Sequence, residues 1–218
     1  MEEEFDLLYG RLHNRKYIKK SMYSATTEEN GGKTVLVSMC GIGKVNAAVC
    51  AMKMIERGAM NIISVGVAGA ADESLKPGDI VIGNSYCYHD VWCGKPNQNG
   101  QIQGCPAVFP SSFGNWMERI CSCDDSIHLG TIATGDWFVQ DREKMEEIKK
   151  YLPSAYNIMA VDMESAAIAQ ICYNDNIPFM SIRIISDNPL LPDQQVQYDN
   201  FWNMLAEKSF ETLYNIIK

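Results

Sequence analysis

Short apolar runs alternate with amphipathic stretches along this chain of 218 residues. The apolar runs are rich in β-branched residues and are bounded by glycine or polar residues, a pattern that predicts buried strands. They occupy residues 34–39, 61–65, 79–83, 130–136 and 179–187. The amphipathic stretches have helical periodicity and occupy residues 5–8, 46–57, 141–150 and 200–217. Elements alternating at this spacing predict one α/β domain over residues 1–218, with a three-layer arrangement in which helices cover both faces of a mostly parallel mixed sheet.

Two glycine-rich segments follow predicted strands. The first, GIGK at residues 41–44, lacks the spacing of a P-loop, so it indicates either a tight strand-to-helix turn or a contact with a ligand. The second, GVAGA at residues 66–70, is read as another glycine turn, and its small residues let backbone N–H groups approach a ligand. In a parallel α/β sheet, ligands collect at the carboxyl ends of the strands, where both segments are predicted to lie.

Two carboxylates flank one methionine at residues 162–164, just before a run of small residues with high helix propensity. In an extended segment alternate side chains share a face, so Asp162 and Glu164 would lie together and Met163 opposite them. An apolar side chain between two acids suits a ligand that is part sugar and part apolar. The alternative is a plain helix N-terminus, where the helix dipole and free backbone N–H groups favour acids.

Asp187 ends the last predicted strand, which is strongly apolar. Burial at this position would raise the pKa of its carboxyl group and make it a usable proton donor. The alternative is an acid that caps the turn at residues 187–189. Asp136 and Glu164 also follow predicted strands, and their convergence with Asp187 at one edge of the sheet indicates a single site.

Composition excludes several classes of function. A net charge of −8 provides no basic field for nucleic acid or an anionic membrane. No apolar run approaches the roughly 20 residues that span a bilayer. The eight cysteines are scattered and lack metal-ligand spacing, so we expect reduced thiols in a cytoplasmic protein that needs no metal or other cofactor. No Ser-His-Asp or Cys-His arrangement is apparent.

Eight motifs, taken together and in this order, resemble the 5′-methylthioadenosine/S-adenosylhomocysteine nucleosidases of the purine nucleoside phosphorylase superfamily. They are GIGKVNAA, VGVAGA, LKPGDIVI, YHD, GCPAVF, TGDWFV, AVDMESAAIAQIC and IPFMSIRIISD. The resemblance covers nearly the whole chain, and the last two motifs are the most specific. It implies a homodimeric enzyme that uses water to cleave the bond between adenine and ribose in thioether nucleosides, without a cofactor.

The resemblance also implies roles for particular residues. Asp187 would protonate N7 of adenine, and Glu4 would activate the attacking water. Glu164 would accept hydrogen bonds from the ribose hydroxyls, and Met163 would pack on the sugar. Phe138 and the Val139 backbone would contact the purine, and Ile42 and Phe109 would contact the 5′-thio substituent, with Phe109 from the same chain or from the second subunit. Arg183 and Ser186 would position the Asp187 loop. The remaining implied binding residues are Val67, Ala68 and Gly69 of the glycine segment, and Asp162.

The chain departs from the family pattern in three places. Asp162 stands where the family usually has Glu, and Val67 replaces a small hydroxyl residue. The opening MEEE matches the end of the family's first strand and the start of its first helix, so that strand is expected to be missing. Two alternatives to the nucleosidase stay open: a phosphorylase or futalosine-type hydrolase on the same fold, and a catalytically silent nucleoside-binding protein. Phosphorolysis would need a cationic phosphate site, and no arginine lies in either glycine segment.

Overall fold

The computed structural model describes residues 2–19, 22–27, 32–114 and 126–217. Nine strands occur in these ranges: β1 (His13–Lys19), β2 (Met22–Thr26), β3 (Thr34–Ser38), β4 (Ile62–Ala70), β5 (Ile80–Tyr88), β6 (Phe109–Pro110), β7 (Ile127–Thr134), β8 (Ile158–Asp162) and β9 (Phe179–Asp187). The α-helices in the same ranges are α1 (Glu2–Tyr9), α2 (Lys44–Glu56), α3 (Arg142–Tyr151), α4 (Ser165–Asp175), α5 (Gln194–Asn200) and α6 (Ala206–Ile217). A π-helical turn, Phe201–Leu205, joins α5 to α6.

Five of the strands close into a barrel-like sheet. Their order is β5-β7-β8-β4-β9, and β9 pairs back onto β5. The β5–β7, β7–β8 and β4–β9 pairs are parallel, whereas the β4–β8 and β5–β9 pairs are antiparallel. The predicted α/β class is therefore confirmed, but this closed, barrel-like sheet takes the place of the predicted three-layer, mostly parallel mixed sheet. Strand length explains the closure: β5 and β9 each have nine residues, and the twist accumulated along such strands brings their outer edges together.

The segment GVAGA at residues 66–70 is a strand and not a turn. It forms the second half of β4, which runs unbroken from Ile62 to Ala70. Its backbone pairs in parallel with β9, Gly66 opposite Arg183 and Gly69 opposite Asp187. Close packing inside the sheet therefore explains the small residues. Gly69 lies opposite Asp187, the last residue of β9, and β4 extends one residue further to Ala70.

Strands β1, β2 and β3 form a second, antiparallel sheet. The sequence pattern predicts only β3 of these three strands. The sequence HNRKYIK of β1 is polar and largely exposed, so it lacks the alternation that identifies a half-buried strand. Residues 84–88 also continue β5 although an irregular stretch is expected there, and Tyr86, Cys87 and Tyr88 are buried.

The small-residue run after Asp162 forms the buried helix α4. Five consecutive residues from Ser165 to Ala169 are buried, and Ala47 and Ala51 of α2 are buried in the core that α4 helps to form. Side chains this short let helices approach each other and the sheet closely. The start of α4 is thereby fixed against the ends of the barrel strands.

Three further expectations concern membrane-spanning helices, metal ligands and cysteines. In the described ranges, no helix has the length and apolar character needed to cross a bilayer, and no group of three or more His, Cys, Asp and Glu side chains is placed to hold a metal. The described cysteines, at positions 40, 50, 87, 93, 105 and 172, are free thiols. Cys121 and Cys123 lie outside the described residues.

Candidate active site

A cavity lies beside the carboxyl ends of β4, β8 and β9, next to the first turn of α1. Its charged lining residues, within the described chain, are Glu4, Asp162, Glu164, Arg183 and Asp187. The rest of the lining comprises Cys40, Gly41, Ile42, Ser64, Val65, Val67, Ala68, Gly69, Trp137, Phe138, Val139, Val161, Met163, Ser186 and Tyr198. Four carboxyl groups and one guanidinium thus share a space with aromatic and aliphatic walls, a combination that suits a polar ligand with apolar parts.

Asp187 is buried at the end of β9, with 2% of its surface exposed. The Ser186 hydroxyl donates to its Oδ1 at 2.5 Å, and the Gln194 amide donates to its Oδ2 at 2.6 Å. Burial raises the pKa of Asp187 above its ordinary value, although these two hydrogen bonds act in the opposite direction. The following turn is capped by Asn188, whose Oδ1 accepts from the Leu190 N–H at 3.0 Å. Asp187 is therefore not needed as a cap and has the environment of a proton donor.

Glu164 and Arg183 form the polar wall of the cavity. The Glu164 carboxylate accepts a hydrogen bond from the Gly43 N–H at 3.0 Å and lies 3.6 Å from the Arg183 guanidinium. Burial raises the pKa of Glu164, while the charge of Arg183 counteracts this effect. Gly41 and Gly43 have φ values of +83° and +91°, conformations that favour glycine. The first glycine segment is therefore a strand-to-helix turn that also lines the cavity and orients a carboxylate.

Asp162 lines the same cavity but its oxygens are already engaged. They accept hydrogen bonds from the Arg183 Nε at 2.8 Å, the Thr134 hydroxyl at 2.5 Å and the Ser165 N–H at 3.1 Å. The expected sharing of one strand face by Asp162 and Glu164 is not observed, because β8 ends at Asp162 and α4 begins at Ser165. Asp162 thus caps the helix and pairs with Arg183, whereas Glu164 presents its carboxylate to the cavity.

Glu4 reaches the cavity from the first turn of α1. Its Oε1 accepts a hydrogen bond from the Val67 N–H at 2.8 Å. Gly66 makes this approach possible, because a Cβ there would overlap Arg183 Nη1 and lie 2.9 Å from Glu4 Oε1. Gly66 therefore leaves room for both the Glu4 carboxylate and the Arg183 guanidinium.

Replacing Gly66 by Ala is expected to lower the free energy of unfolding by about 1–3 kcal/mol, because the added methyl group overpacks a buried site. Urea denaturation followed by circular dichroism measures this loss. Gly114→Ala is the matched control, since a Cβ at Gly114 meets no atom of the described residues within 4 Å. Equal stabilities of the two variants would contradict the proposed packing.

Phe109 is a predicted site residue that the structure does not bring to this cavity. It is 2% exposed, and its ring packs edge-on against Tyr88 and Tyr173 at centroid distances of 6.3 and 5.7 Å. It lines a second, separate cavity together with Phe179. The physical reason is β6, whose pairing with the edge of β5 turns Phe109 into the core.

Several lining residues were not predicted from the sequence. Trp137 adjoins Phe138, and Lys144 places its ammonium 4.3 Å from the indole centroid. Tyr198 of α5 packs edge-on against Phe138 with ring centroids 6.0 Å apart. The only signal for Trp137 was its place beside Phe138. Tyr198 gave no signal, because the predicted helix begins at residue 200.

Comparison with known proteins identifies the group to which this architecture belongs. Residues 1–218 match the profile of the Phosphorylase superfamily. The 5′-methylthioadenosine/S-adenosylhomocysteine nucleosidase of Bacillus subtilis strain 168 is 35% identical over 224 residues, which cover 100% of this chain and 95% of that protein. The enzyme of the same name from Staphylococcus aureus strain bovine RF122 is 34% identical over 100% of this chain and 96% of its own length. The chain belongs to this nucleosidase family.

Solved structures of the nucleosidase family share the fold. The enzyme from Neisseria meningitidis, in complex with methylthio-immucillin-A, has a TM-score of 0.86 and 33% identity, covering 100% of this chain and 95% of its own. A putative family member from Borrelia burgdorferi B31, bound to adenine, has a TM-score of 0.86 and 30% identity, with coverages of 100% and 96%. The nucleoside phosphorylase-like α/β fold that the motifs imply is thereby confirmed.

Lys44 is the cation beside the first glycine turn of this nucleosidase-family chain. Its ammonium lies 2.6 Å from Asp90 and 3.8 Å from Asp136, and 5.5 Å from the centroid of the Tyr88 ring. Its backbone N–H also donates to Asp136 at 2.8 Å. Asp136 therefore does not line the cavity but anchors the glycine turn whose Gly43 N–H contacts Glu164. Lys44 has a structural role in the same turn, because its ammonium pairs with Asp90 and Asp136.

Proposed function

We propose that this chain hydrolyses the N-ribosidic bond of 5′-methylthioadenosine and S-adenosylhomocysteine and releases adenine, as a single domain over residues 1–218. The observation that carries the proposal is the buried Asp187, whose pKa is raised by burial, in one cavity with the carboxylates of Glu4 and Glu164. Cleavage of this bond passes through an oxocarbenium-like state, which needs an acid for the leaving base and a base for the water. The relatives from Bacillus subtilis and Staphylococcus aureus are 5′-methylthioadenosine/S-adenosylhomocysteine nucleosidases, and the cavity of this chain has the acid and the base that such a reaction requires.

In the proposed reaction the bond between N9 and C1′ breaks, and its electron pair moves onto the purine. Asp187 donates a proton to N7, so that adenine leaves as a neutral molecule. The oxygen of water forms the new bond to C1′, and Glu4 accepts the proton that the water loses. Glu164 accepts hydrogen bonds from the ribose hydroxyls, and its negative charge stabilises the cation that develops on the sugar.

The cavity walls account for the other parts of the substrate. Phe138 and Tyr198 provide aromatic surface, and we assign the purine to Phe138 and to the backbone of Val139. Met163 packs on the sugar, and Ile42 borders the 5′-thio substituent. The β4 residues Val67, Ala68 and Gly69 bring backbone to the sugar side of the cavity, while Ser186 orients Asp187 and Arg183 orients Glu164. Phe109 is not assigned to this site, because it is buried elsewhere in its own chain.

The charge distribution favours water over phosphate as the nucleophile. Among the described lining residues the single cation is Arg183, and it is paired with Asp162 at 2.8 Å. The carboxylates of Glu4, Asp162 and Glu164, which share the cavity with the protonated Asp187, would repel a phosphate dianion. No observation favours a phosphorylase or a silent binding protein over the nucleosidase.

Replacing Glu4 by Gln tests the proposed base. The amide oxygen can still accept the Val67 N–H, so the fold is expected to persist, but the side chain can no longer take a proton. Adenine release from 5′-methylthioadenosine is expected to fall by about a hundredfold or more. Glu3→Gln, at an exposed position of the same helix, provides the control and should retain native turnover. A Glu4→Gln variant with native turnover would remove Glu4 from the mechanism.

We also propose that the chain works as a cytoplasmic homodimer that pairs through α2. Val45, Val49 and Met52 recur at helical spacing on this helix and are 74%, 46% and 38% exposed, while Ala47 and Ala51 on its other side are buried. An apolar stripe of this kind is typical of a surface that another subunit covers. The combined change Val45→Glu and Val49→Glu should give a monomer in analytical ultracentrifugation, and Lys53→Glu on the same helix should not. A monomeric native chain would contradict the dimer.

A further inference from the structure

Both oxygens of the Asp187 carboxyl group have a hydrogen-bond donor, but the two donors are not equivalent. Ser186 donates to Oδ1 at 2.5 Å, and Gln194 donates through Nε2 to Oδ2 at 2.6 Å. A hydroxyl group can donate or accept, whereas an amide nitrogen can only donate. Gln194 is 8% exposed, so its amide is held against the carboxyl group with little access for water. The two oxygens therefore differ in their capacity to carry a proton.

The position of Gln194 is fixed by the segment that connects it to Asp187. The Asn188 side chain donates to the carbonyls of Asp72 and Leu75 at 2.9 and 3.0 Å. The Asn188 N–H donates to the side-chain oxygen of Gln197 at 3.0 Å, so the start of the segment is tied to α5. Gln194 is the first residue of α5 and is buried with this network. The hydrogen bonds of Asn188 therefore hold the Gln194 amide in place against the Asp187 carboxyl group.

We propose that Gln194 is a positioning residue that keeps Oδ2 of Asp187 as an acceptor and directs the acidic proton onto Oδ1. The proposal rests on the role of Asp187 as the acid in the proposed function. A proton on Oδ2 would face the amide hydrogens across 2.6 Å. A proton on Oδ1 meets the Ser186 hydroxyl, which can accept it and donate its own hydrogen to the Ala68 carbonyl at 3.3 Å. The proton then leaves Oδ1 for the purine nitrogen when substrate replaces the hydroxyl as acceptor.

The direction in which the pKa of Asp187 changes shows whether the Gln194 amide donates a hydrogen bond to Oδ2 or accepts one from it. Burial raises the pKa of Asp187, and the hydrogen bonds from Ser186 and Gln194 lower it because they stabilise the carboxylate. Removal of the Gln194 donor should therefore raise the pKa. If the amide oxygen instead accepted a proton from Oδ2, removal would lower it. The other titratable or charged groups that line the same cavity are Glu4 on α1, Cys40 after β3, Asp162 at the end of β8, Glu164 before α4, Arg183 on β9 and Tyr198 on α5. All of them stay unchanged in this comparison.

The first measurement is a titration of the Asp187 carboxyl carbon by NMR in protein labelled with ¹³C-aspartate, assigned with Asp187→Asn. Gln194→Met keeps the size of the side chain and removes the donor. Gln195→Met is the matched control, because Gln195 is exposed and donates to Asp199 at 3.0 Å on the outside of the same helix. The pKa of Asp187 is expected to rise by about one unit in Gln194→Met and to stay unchanged in Gln195→Met. An unchanged or lowered value in Gln194→Met would overturn the proposal.

The second measurement is the pH dependence of adenine release. Gln194→Met is expected to lower kcat by about tenfold, to leave KM within about twofold, and to move the alkaline limb to higher pH. A raised KM with native kcat and an unmoved limb would indicate an ordinary packing contact and overturn the proposal. If Gln194→Met does not fold, Gln194→Asn, whose amide is one methylene too short to reach Oδ2, provides the same comparison. A native chain that releases no adenine would reject the proposed function, while the carboxyl titration would still decide the role of Gln194.

Discussion

Asp187→Asn is expected to lower the turnover of 5′-methylthioadenosine by about a thousandfold. The amide fills the same space at the end of β9 and can keep hydrogen bonds to Ser186 and Gln194, but it has no acidic proton for N7 of the leaving adenine. General acid catalysis typically contributes a factor of about 10²–10⁴, and an anionic adenine is a poor leaving group. The measurement is the initial rate of adenine release at saturating substrate, together with a melting curve that verifies folding.

Asp141→Asn is the matched control for this substitution. Asp141 is exposed and caps α3 by accepting the Lys144 N–H at 2.8 Å, a role that asparagine fills equally well. Its turnover and stability should match those of the native chain. Native turnover in Asp187→Asn, with the control also native, would exclude Asp187 as the acid.

Arg183→Met is expected to have the largest effect on stability, lowering the free energy of unfolding by about 3–5 kcal/mol. Arg183 is 3% exposed and lies between Asp162 at 2.8 Å and Glu164 at 3.6 Å. Although burial disfavours its charge, the nearby carboxylates of Asp162, Glu164 and Glu4 raise its pKa. Removing the guanidinium leaves buried carboxylates without their partner, and the lost orientation of Glu164 should also reduce turnover. Urea denaturation measures the loss of stability.

Arg142→Met tests whether this effect comes from burial or from the loss of any arginine. Arg142 lies 3.0 Å from Glu73 and 3.4 Å from Glu146, but its side chain is half exposed. Ion pairs of this kind contribute little to stability because water and salt screen them. The free energy of unfolding should therefore stay close to the native value. Comparable losses in both variants would contradict the account of Arg183.

The parts of the fold that the sequence predicts well are those with a strong local pattern. The predicted strand at residues 179–187 coincides with β9, whose nine residues are all buried and whose sequence FMSIRIISD is rich in large apolar and β-branched side chains. The helices at residues 46–57 and 141–150 lie within two residues of α2 and α3. The closed sheet was not predictable in this way, since it depends on the pairing of Ile80 with Ile184 across more than a hundred residues.

The candidate site follows the same rule. Asp187 and Glu164 could be selected because one ends a predicted strand and the other ends an extended segment, and strand ends of a parallel sheet converge. The different duties of Asp162 and Glu164 could not be separated, because they depend on where β8 ends and on the partners Arg183 and Gly43. Gln194 is one polar residue in the sequence QQVQYDN, where nothing local marks it as the partner of Asp187.

The most direct test of the account is the release of adenine from 5′-methylthioadenosine by the purified native chain, measured with and without added phosphate. Hydrolysis at this site predicts equal rates in both conditions, with free methylthioribose as the second product. Release that requires phosphate and yields a sugar phosphate would contradict the assignment of water as the nucleophile, and no release in either condition would contradict the nucleosidase function itself.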